Sequence, residues 1–202
     1  MSTGLFITFE GIDGCGKSTQ VALARESLVQ AGIPVLVTRE PGGTAIGEQI
    51  RSVLIDPRNE SMNNRCELLL YLAFRAQHVS EKIAPALKEG CIVLCDRFQE
   101  ATFAYQGFGR GFPSDVLFTL NGFATGGLIP DHTFVFDISY QRSRERLLKA
   151  GKQPDRLESC SKEFFERVRN GYARLAADNP GRTTVLSGEC TMEELSQSVQ
   201  ET

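Results

Sequence analysis

The sequence predicts an α/β protein built on a doubly wound parallel sheet of five strands flanked by helices. Five short apolar runs, rich in β-branched residues, recur along the chain, and helical patterns separate them. The runs are continuous rather than alternating, which is typical of parallel strands covered on both faces. The chain has 202 residues, enough to bury a core, and we expect residues 1–202 to form a single domain.

The five apolar runs define the predicted strands. Parallel sheets of this type bind ligands at the carboxyl ends of their strands, so sequence motifs that directly follow a run are the first candidates for a functional site. In chain order the runs are "LFITF" (5–9), "PVLVT" (34–38), "CIVLC" (91–95), "TFVFDI" (133–138) and "TTVL" (183–186).

Helical patterns fill the intervals between these runs. The first predicted helix extends from Lys17 to about Ala31 and ends at Gly32, a residue suited to the position after a helix. A long helix is predicted over 65–90, with a bend at Pro85. Strands that alternate with helices imply right-handed crossover connections. The remaining predicted helices cover 45–55, 98–106, 114–124, 140–150, 161–177 and 191–200.

Composition excludes several classes of protein. Hydrophobic residues make up 41% and charged residues 23%, as in ordinary globular proteins, and no apolar run reaches the length of a membrane span. The N-terminus lacks the basic start of a secretory signal, so we expect a cytoplasmic protein. A net charge of −3 disfavours a general nucleic-acid surface. The six cysteines form no C-x-x-C pair, and we expect buried free thiols rather than zinc ligands or disulfides.

The segment "FEGIDGCGKST" (9–19) carries the strongest motif, G-x-x-x-x-G-K-S, between the first strand and the first helix. Glycines let the backbone curl so that successive N–H groups point at an anion, and the helix N-terminus adds positive charge. Lys17 can reach the β- and γ-phosphates of a nucleotide, and Ser18 can ligate Mg²⁺. A chance glycine turn is the alternative, but the complete motif in this context favours a P-loop NTPase-type fold. The predicted nucleotide-binding residues are Gly11, Ile12, Asp13, Gly14, Cys15, Gly16, Lys17, Ser18 and Thr19.

The third strand ends in Asp96, which resembles a Walker B carboxylate able to hold Mg²⁺ or its waters. An ordinary polar residue at a strand end explains Asp96 equally well by spacing alone. Arg97 follows directly, and its planar guanidinium suits the oxygens of a second phosphate.

The segment "QRSRERLLKAGKQPDRLE" (141–158) is a candidate lid. It holds six basic residues, and its centre contains both Gly and Pro. A flexible basic segment can close over ATP and stabilise the charge of the moving phosphoryl group. The alternative is a solvated helix face. The chain has no N-K-x-D guanine-binding motif, which argues against a switch GTPase and in favour of a kinase.

Two polar clusters are candidates for an acceptor pocket. Tyr71 and Arg75 are four residues apart, so they share one helix face and could stack on a base and bond its edge. By pattern alone, Tyr71 fits a plain core position better. Thr102, Tyr105 and Gln106 would project together from one helical turn.

Four motifs, in this order, resemble those of bacterial thymidylate kinases: "FEGIDGCGKST", "TREPGGT", "DRF" followed by "AYQGFGRG", and a lid ending in "DRLE". The resemblance covers nearly the whole chain. It implies that the γ-phosphate of ATP is transferred to dTMP, giving dTDP, with Mg²⁺, in a homodimer of the P-loop kinase fold.

The resemblance also implies roles for residues near the phosphates. Arg51 and Arg97 match arginines that hold the dTMP phosphate, and Asp13 matches a carboxylate that contacts the sugar 3′-hydroxyl. Glu40 and Asp96 match acidic residues near the metal and the reacting phosphates.

The base and sugar pocket follows from the same resemblance. Tyr71 takes the position of a ring that stacks on thymine, where phenylalanine is usual, and Arg75 matches an arginine that bonds the base edge. Thr102 and Gln106 match polar contacts to the base and sugar. Tyr105 lies where a ring would crowd a ribose 2′-hydroxyl.

The lid departs from the family pattern. The loop lacks the arginine that some relatives carry, which suggests that the lid supplies the catalytic cation, yet the lid centre has lysines where arginine is common. Lysine is a point charge without a bidentate fork. Our predicted catalytic residues are Lys17, Asp96, Arg97, Lys152 and Arg156.

Two other functions are compatible with the P-loop. One is a kinase for another nucleoside monophosphate, such as dUMP. The other is a P-loop ATPase that acts on a protein partner, which would release ADP without any acceptor and would leave the two polar clusters unexplained.

Overall fold

The structure is a computed structural model that describes residues 4–151 and 155–202. Lys152, a predicted lid cation, lies outside the described residues. Five parallel strands form one sheet in the order β2-β3-β1-β4-β5, which confirms the predicted fold class. The strands are β1 (Phe6–Glu10), β2 (Val35–Arg39), β3 (Ile92–Asp96), β4 (His132–Asp137) and β5 (Thr183–Ser187).

The first three strands extend one residue beyond the predicted apolar runs. Phe9 of β1 and Arg39 of β2 both lie opposite Asp96 of β3. Ladder hydrogen bonds use only the backbone, so the pairing continues to polar residues at which the hydrophobic signal has already ended. The carboxyl edge of the sheet is therefore lined by the charged side chains Glu10, Arg39 and Asp96.

The predicted helices are present, but two of them, 65–90 and 98–106, are irregular. The predicted helix 65–90 consists of two α-helices joined by a π-helical segment at Val79–Ile83. Proline has no N–H, and its ring collides with the carbonyl four residues earlier. The α-helical hydrogen-bond pattern is therefore interrupted just before Pro85. The helices are α1 (Lys17–Gln30), α2 (Ala45–Ile55), α3 (Asn64–His78), α4 (Ala84–Lys88), α5 (Gln99–Thr102), α6 (Ser114–Thr125), α7 (Tyr140–Lys149), α8 (Lys162–Asp178) and α9 (Met192–Gln200).

The predicted helix 98–106 is only partly α-helical. After α5 the chain continues as a π-helical segment, Phe103–Gly109, and this segment packs against α8. π-Helical turns are rare and are frequent at functional sites. The segment carries two residues of the predicted acceptor cluster, Tyr105 and Gln106.

The core lies on both faces of the sheet. Phe9, Phe134 and Phe136 pack ring against ring on the central strands, with centroids 5.5 and 6.1 Å apart. Helix α1 packs against β1–β3, and α8 packs against β4 and β5. The central strands β1, β3 and β4 are almost continuously buried, as their unbroken apolar runs predicted.

All six cysteines lie within the described ranges and are free thiols, as predicted. Cys15 and Cys95 are buried. The expectation of burial is wrong for Cys66 and Cys190, which are exposed in the first turn of α3 and just before α9. In residues 4–151 and 155–202, no helix combines the length and the apolar character needed to cross a bilayer.

Glu10, the last residue of β1, fixes the turn that follows β3. Its side chain is fully buried; one carboxyl oxygen accepts the Phe98 N–H at 2.7 Å and the other accepts the Tyr172 hydroxyl at 2.8 Å. Burial, reinforced by the nearby Glu100, raises the pKa of Glu10 from 4.5 to about 8.

This shift predicts a falling stability with rising pH. Between about pH 4.5 and pH 8 the folded state holds a proton on Glu10 that the unfolded state has lost, so the free energy of unfolding decreases across this window. Glu10→Gln, which keeps the shape and removes the charge, should abolish this component and be more stable than the wild type by a few kcal/mol above pH 8.

Urea unfolding at several pH values across the window tests this expectation. Glu26→Gln, on the exposed face of α1, controls for the loss of one negative charge. Parallel pH profiles for the wild type and Glu10→Gln would contradict the assignment.

Candidate active site

A cleft of about 670 Å³ opens at the carboxyl edge of the sheet. Its size is that of a small-molecule site. One end is lined by the loop after β1 and by residues near α9, and the other end by α2, α3 and the π-helical segment. Strand order reverses around β1, where such sheets bind their ligands.

The glycine loop forms one wall of the cleft. Gly16 precedes α1 with φ +104°, a conformation that favours glycine. Residues 13–19 of the predicted nucleotide-binding set line the cleft. Gly11 and Ile12 lie beneath it, and the Ile12 side chain is buried in the core, so these two residues can contribute only backbone groups.

Lys17 lies at the centre of the loop. Its Nζ donates to the carbonyl oxygens of Gly11 and Ile12 at 3.0 and 3.1 Å, and it lies 3.5 Å from Sγ of Cys15. The side chain is buried, so the ammonium group is held beside the inward-facing loop rather than extended into solvent.

Ser18 and Asp96, the two residues predicted to ligate magnesium, lie in contact with each other. The Ser18 hydroxyl donates to Oδ2 of Asp96 at 2.6 Å. Within the described residues no group of three or more His, Cys, Asp or Glu side chains forms a metal cluster. Two hard oxygen donors beside a phosphate-binding loop fit Mg²⁺, which keeps several waters and takes its other ligands from substrate phosphates.

Arg97 connects the loop to the opposite end of the cleft. Its backbone has φ +72°, uncommon for a residue with a side chain, and this conformation follows directly after β3. The guanidinium donates to the Gly11 carbonyl and to Oδ1 of Asp13, each at 2.8 Å, and lies 5.2 Å from the centre of the Tyr105 ring. Burial alone would lower the pKa of Arg97, but the Asp13 carboxylate raises it well above the usual value, so the charge is permanent.

The end of the cleft lined by α2, α3 and the π-helical segment contains the residues predicted to bind the phosphate acceptor, and it is called the acceptor end below. Arg75 is fully buried in its wall. All three of its guanidinium nitrogens donate hydrogen bonds within the protein. Nε donates to Oε2 of Glu40 at 2.8 Å, and Nη2, which lies 2.7 Å from the same oxygen, donates to the Phe98 carbonyl at 3.0 Å. Nη1 donates to Thr102 Oγ1 at 2.7 Å and to Asn121 Oδ1 at 2.6 Å. A hydrogen bond from Arg75 to a base would have to share or replace one of these.

The predicted cluster at 102–106 does face the cleft, and so does Tyr71. Gln106 donates to the buried carboxylate of Glu67 at 3.1 Å. The Tyr105 side chain lines the cleft, and its buried hydroxyl has no hydrogen-bond partner among the described residues. Tyr71 packs edge-on against Phe74 at 5.8 Å, and burial raises the pKa of its hydroxyl.

Arg51 and Glu40 lie at the same end. Arg51 donates to the Pro41 carbonyl at 2.9 Å and lines the cleft. Glu40 is buried, with one oxygen bonded to Arg75 and the other to His78 at 3.1 Å. The structure thus places Glu40 in the wall of the acceptor end, held by two basic side chains.

The described part of the lid is anchored at both ends. Arg146 of α7 donates to the carbonyls of Gly14 and Gly188, at 3.2 and 2.8 Å. Arg156 is buried, donates to the Leu54 carbonyl at 2.7 Å and pairs with Glu67 at 2.7 Å. For Arg156 to meet a transferred phosphoryl group, this ion pair would have to open. Lys149 is exposed at the end of α7.

Sequence reasoning missed several residues that shape the cleft. Glu10 was visible only as an acidic residue at the end of an apolar run, and Tyr172 and His78 looked like ordinary helix positions. Arg146 was one of six basic residues without a distinguishing signal. Glu67 is buried among Arg110, Arg156 and Gln106, which its position in the first turn of α3 does not reveal.

Comparisons with known proteins place the chain in a family. A family model described as thymidylate kinase matches residues 9–199. The chain is 52% identical to the thymidylate kinase of Trichlorobacter lovleyi over 187 residues (90% of this chain, 88% of the relative) and 48% identical to that of Geotalea daltonii over 197 residues (95% and 92%). A crystal structure of thymidylate kinase from Ehrlichia chaffeensis superposes with a TM-score of 0.82 at 33% identity and covers 98% of each chain. This chain therefore belongs to the thymidylate kinase family and is a kinase, an enzyme that transfers phosphoryl groups.

Proposed function

We propose that this protein transfers the γ-phosphoryl group of ATP to dTMP, giving dTDP, with Mg²⁺ as cofactor. The family membership supports the reaction. The observation that carries the proposal is Arg97, which bonds the nucleotide-binding loop through Gly11 and Asp13 while its guanidinium packs on Tyr105 at the acceptor end. One fixed cation between the two ends of the cleft suits a reaction between two anions.

The donor end would hold ATP. Loop amides and Lys17 would bind the β- and γ-phosphates, and Ser18 and Asp96 would hold Mg²⁺. When bound, the ion would neutralise charge on the phosphate oxygens. The loop residues would act mainly through their backbone, as the buried Ile12 and Cys15 side chains suggest.

The acceptor end would hold dTMP. Arg51 and Arg97 would bind its phosphate, Asp13 its 3′-hydroxyl, and Tyr71 would stack on the base. The unpartnered hydroxyl of Tyr105 lies where a substrate could satisfy it. Base and sugar contacts are also proposed for Arg75, Thr102 and Gln106, and Glu40 would support this pocket from behind.

The transfer itself needs little acid–base chemistry. The dTMP phosphate is already a charged oxygen nucleophile, so positioning and electrostatic stabilisation carry most of the rate. Lys152 and Arg156 are the proposed lid cations for the moving group, and Arg156 would act after release from Glu67. We further propose that residues 1–202 form one kinase domain that works in the cytoplasm, where ATP and nucleoside monophosphates are available.

Two rivals remain to be separated by assay. A kinase for dUMP or another monophosphate would share the donor end and differ at the acceptor end. A P-loop ATPase that acts on a protein would hydrolyse ATP alone. No contact within the described residues favours either rival over dTMP.

The first prediction concerns the acceptor. ADP release from ATP and Mg²⁺ should be slow alone and fast with dTMP, and dUMP, which lacks one methyl group, should be about 10- to 200-fold less efficient. A coupled assay of ADP with dTMP, dUMP, dCMP and AMP measures this. Faster turnover with dCMP or AMP would refute the assigned pocket, and rapid ADP release without an acceptor would favour an ATPase.

The second prediction concerns Lys17. Lys17→Met should lower kcat by about 10²- to 10³-fold, the usual loss when one preorganised donor to the transition state is removed. Lys88→Met, at the exposed C-terminal end of α4, is the matched control and should leave kcat unchanged. Near-normal turnover of a folded Lys17→Met enzyme would show that the loop does not hold the transferred phosphate.

We also propose that the protein is a homodimer that pairs through the surface formed by α2, α3 and α6. These helices pack side by side and expose large apolar side chains, including Leu69, Phe118 and Phe123 at 57%, 75% and 89% exposure. Apolar surface of this kind on a folded protein marks an interaction site. A second copy fits it because the interface of a two-fold dimer is self-complementary.

The third prediction tests this interface. Sedimentation equilibrium should give twice the chain mass for the wild type and the chain mass for Phe123→Glu, because a buried unpaired charge opposes association. Val29→Glu, on the exposed face of α1, should remain dimeric. A wild-type protein that sediments as a monomer would refute the proposed homodimer.

A further inference from the structure

His78, the last residue of α3, is fully buried and has both ring nitrogens bonded. Nδ1 lies 3.1 Å from Oε1 of Glu40, and Nε2 lies 2.6 Å from Oγ1 of Thr38. The ring therefore joins the end of α3 to two positions at the end of β2.

Glu40 and the residue after it also bond two arginines of the acceptor end. The other oxygen of Glu40 holds the Arg75 guanidinium. The next residue, Pro41, accepts a hydrogen bond from Arg51 through its carbonyl. His78 itself does not line the cleft formed by the described residues, so any effect on a substrate must pass through these neighbours.

The chain makes room for this contact at Gly43. A Cβ atom there would lie 2.8 Å from both Nε2 of His78 and Oγ1 of Thr38. The backbone at Gly43 also has φ +83°. A larger residue would therefore push the ring and the hydroxyl apart, and the loop after β2 is shaped around their bond.

The partners determine where the ring proton lies. An ionised Glu40 can only accept, so Nδ1 of His78 must carry hydrogen. Arg75 and Glu40 already balance each other, and a cationic ring would add an uncompensated buried charge. A neutral ring with hydrogen on Nδ1 therefore leaves Nε2 as the acceptor of the Thr38 hydroxyl.

We propose that His78 is a positioning residue for the acceptor end: it orients the Glu40 carboxylate, and through it the guanidinium of Arg75 and the loop that anchors Arg51. The inference rests on the proposed function, since Arg75 and Arg51 are the groups proposed to contact dTMP. Substitution of such a positioning residue should weaken the binding of dTMP and leave the binding of ATP unchanged.

Two substitutions separate the two bonds of the ring. The amide nitrogen of Asn is as many bonds from Cβ as Nδ1 of His, so His78→Asn keeps a donor to Glu40. His78→Gln reaches instead to the position of Nε2 and loses that donor. The second histidine of the chain, His132 at the start of β4, provides the control. Its Nε2 lies 3.0 Å from Oγ1 of Thr184 in β5, and no carboxylate among the described residues bonds its ring.

We expect the substitution that removes the donor to raise the KM for dTMP and to leave the KM for ATP nearly unchanged. His78→Gln should raise the KM for dTMP about tenfold, the effect of losing one hydrogen bond to a charged group, and change the KM for ATP less than about twofold. His78→Asn should stay within about threefold of the wild type, and His132→Gln should match it. Equal losses for His78→Asn and His78→Gln, or equal increases in both KM values, would overturn the proposal in favour of a merely structural role.

Ring-nitrogen NMR gives a second readout that needs neither turnover nor a variant. With two histidines in the chain, the spectrum is simple to assign. We expect hydrogen on Nδ1 of His78 and a shift of its signals when dTMP is added, with the His132 signals unchanged. Hydrogen on Nε2 alone would overturn the proposal even if His78→Gln fails to fold. A different outcome is possible: the wild-type enzyme carries hydrogen on Nδ1 of His78 but does not phosphorylate dTMP. That result would refute the proposed function and leave the contact between His78 and Glu40 intact.

Discussion

The organisation of this site depends on one guanidinium held at the end of a central strand. Arg97 adopts a left-handed backbone directly after β3, and its side chain turns back to the loop after β1. The turn is held in place by Glu10, whose buried carboxyl group accepts the next N–H of the chain. The loop after β1 and the opposite end of the cleft come from different parts of the sequence and are thereby kept in a fixed relation. Fixed geometry is what a phosphoryl transfer chiefly requires.

Behind this guanidinium lie two buried networks of charge. In one, Arg75 and His78 share Glu40; in the other, Arg110 and Arg156 share Glu67. Burial alone would raise the pKa of Glu67, but Arg110 and the other partners lower it, so this carboxylate stays ionised. Buried ion pairs contribute little net stability because desolvation offsets the attraction, but breaking one leaves a charge without a partner. Such networks resist rearrangement, which suits a pocket wall.

The second network also links the lid to the pocket. Arg156 belongs to the candidate lid segment, yet it contacts α3 through Glu67 and the end of α2 through the Leu54 carbonyl. Gln106, on the π-helical segment, bonds the same carboxylate. The lid segment, α3 and the π-helical segment therefore meet at Glu67. A substrate that displaces one partner of Glu67 changes the charge balance for its other partners.

The sequence by itself determined the strands of the sheet, most of the helices and the glycine loop, because hydrophobic periodicity and a contiguous motif depend on neighbours along the chain. It also indicated the polar residues of the acceptor end. Only the tertiary structure decided which partners those residues have: that Arg75 bonds Glu40, that Arg156 is paired with Glu67, and that His78 supports Glu40. These three contacts join residues that are 35 or more positions apart, and burial and charge pairing over such distances leave no periodic signal in the sequence.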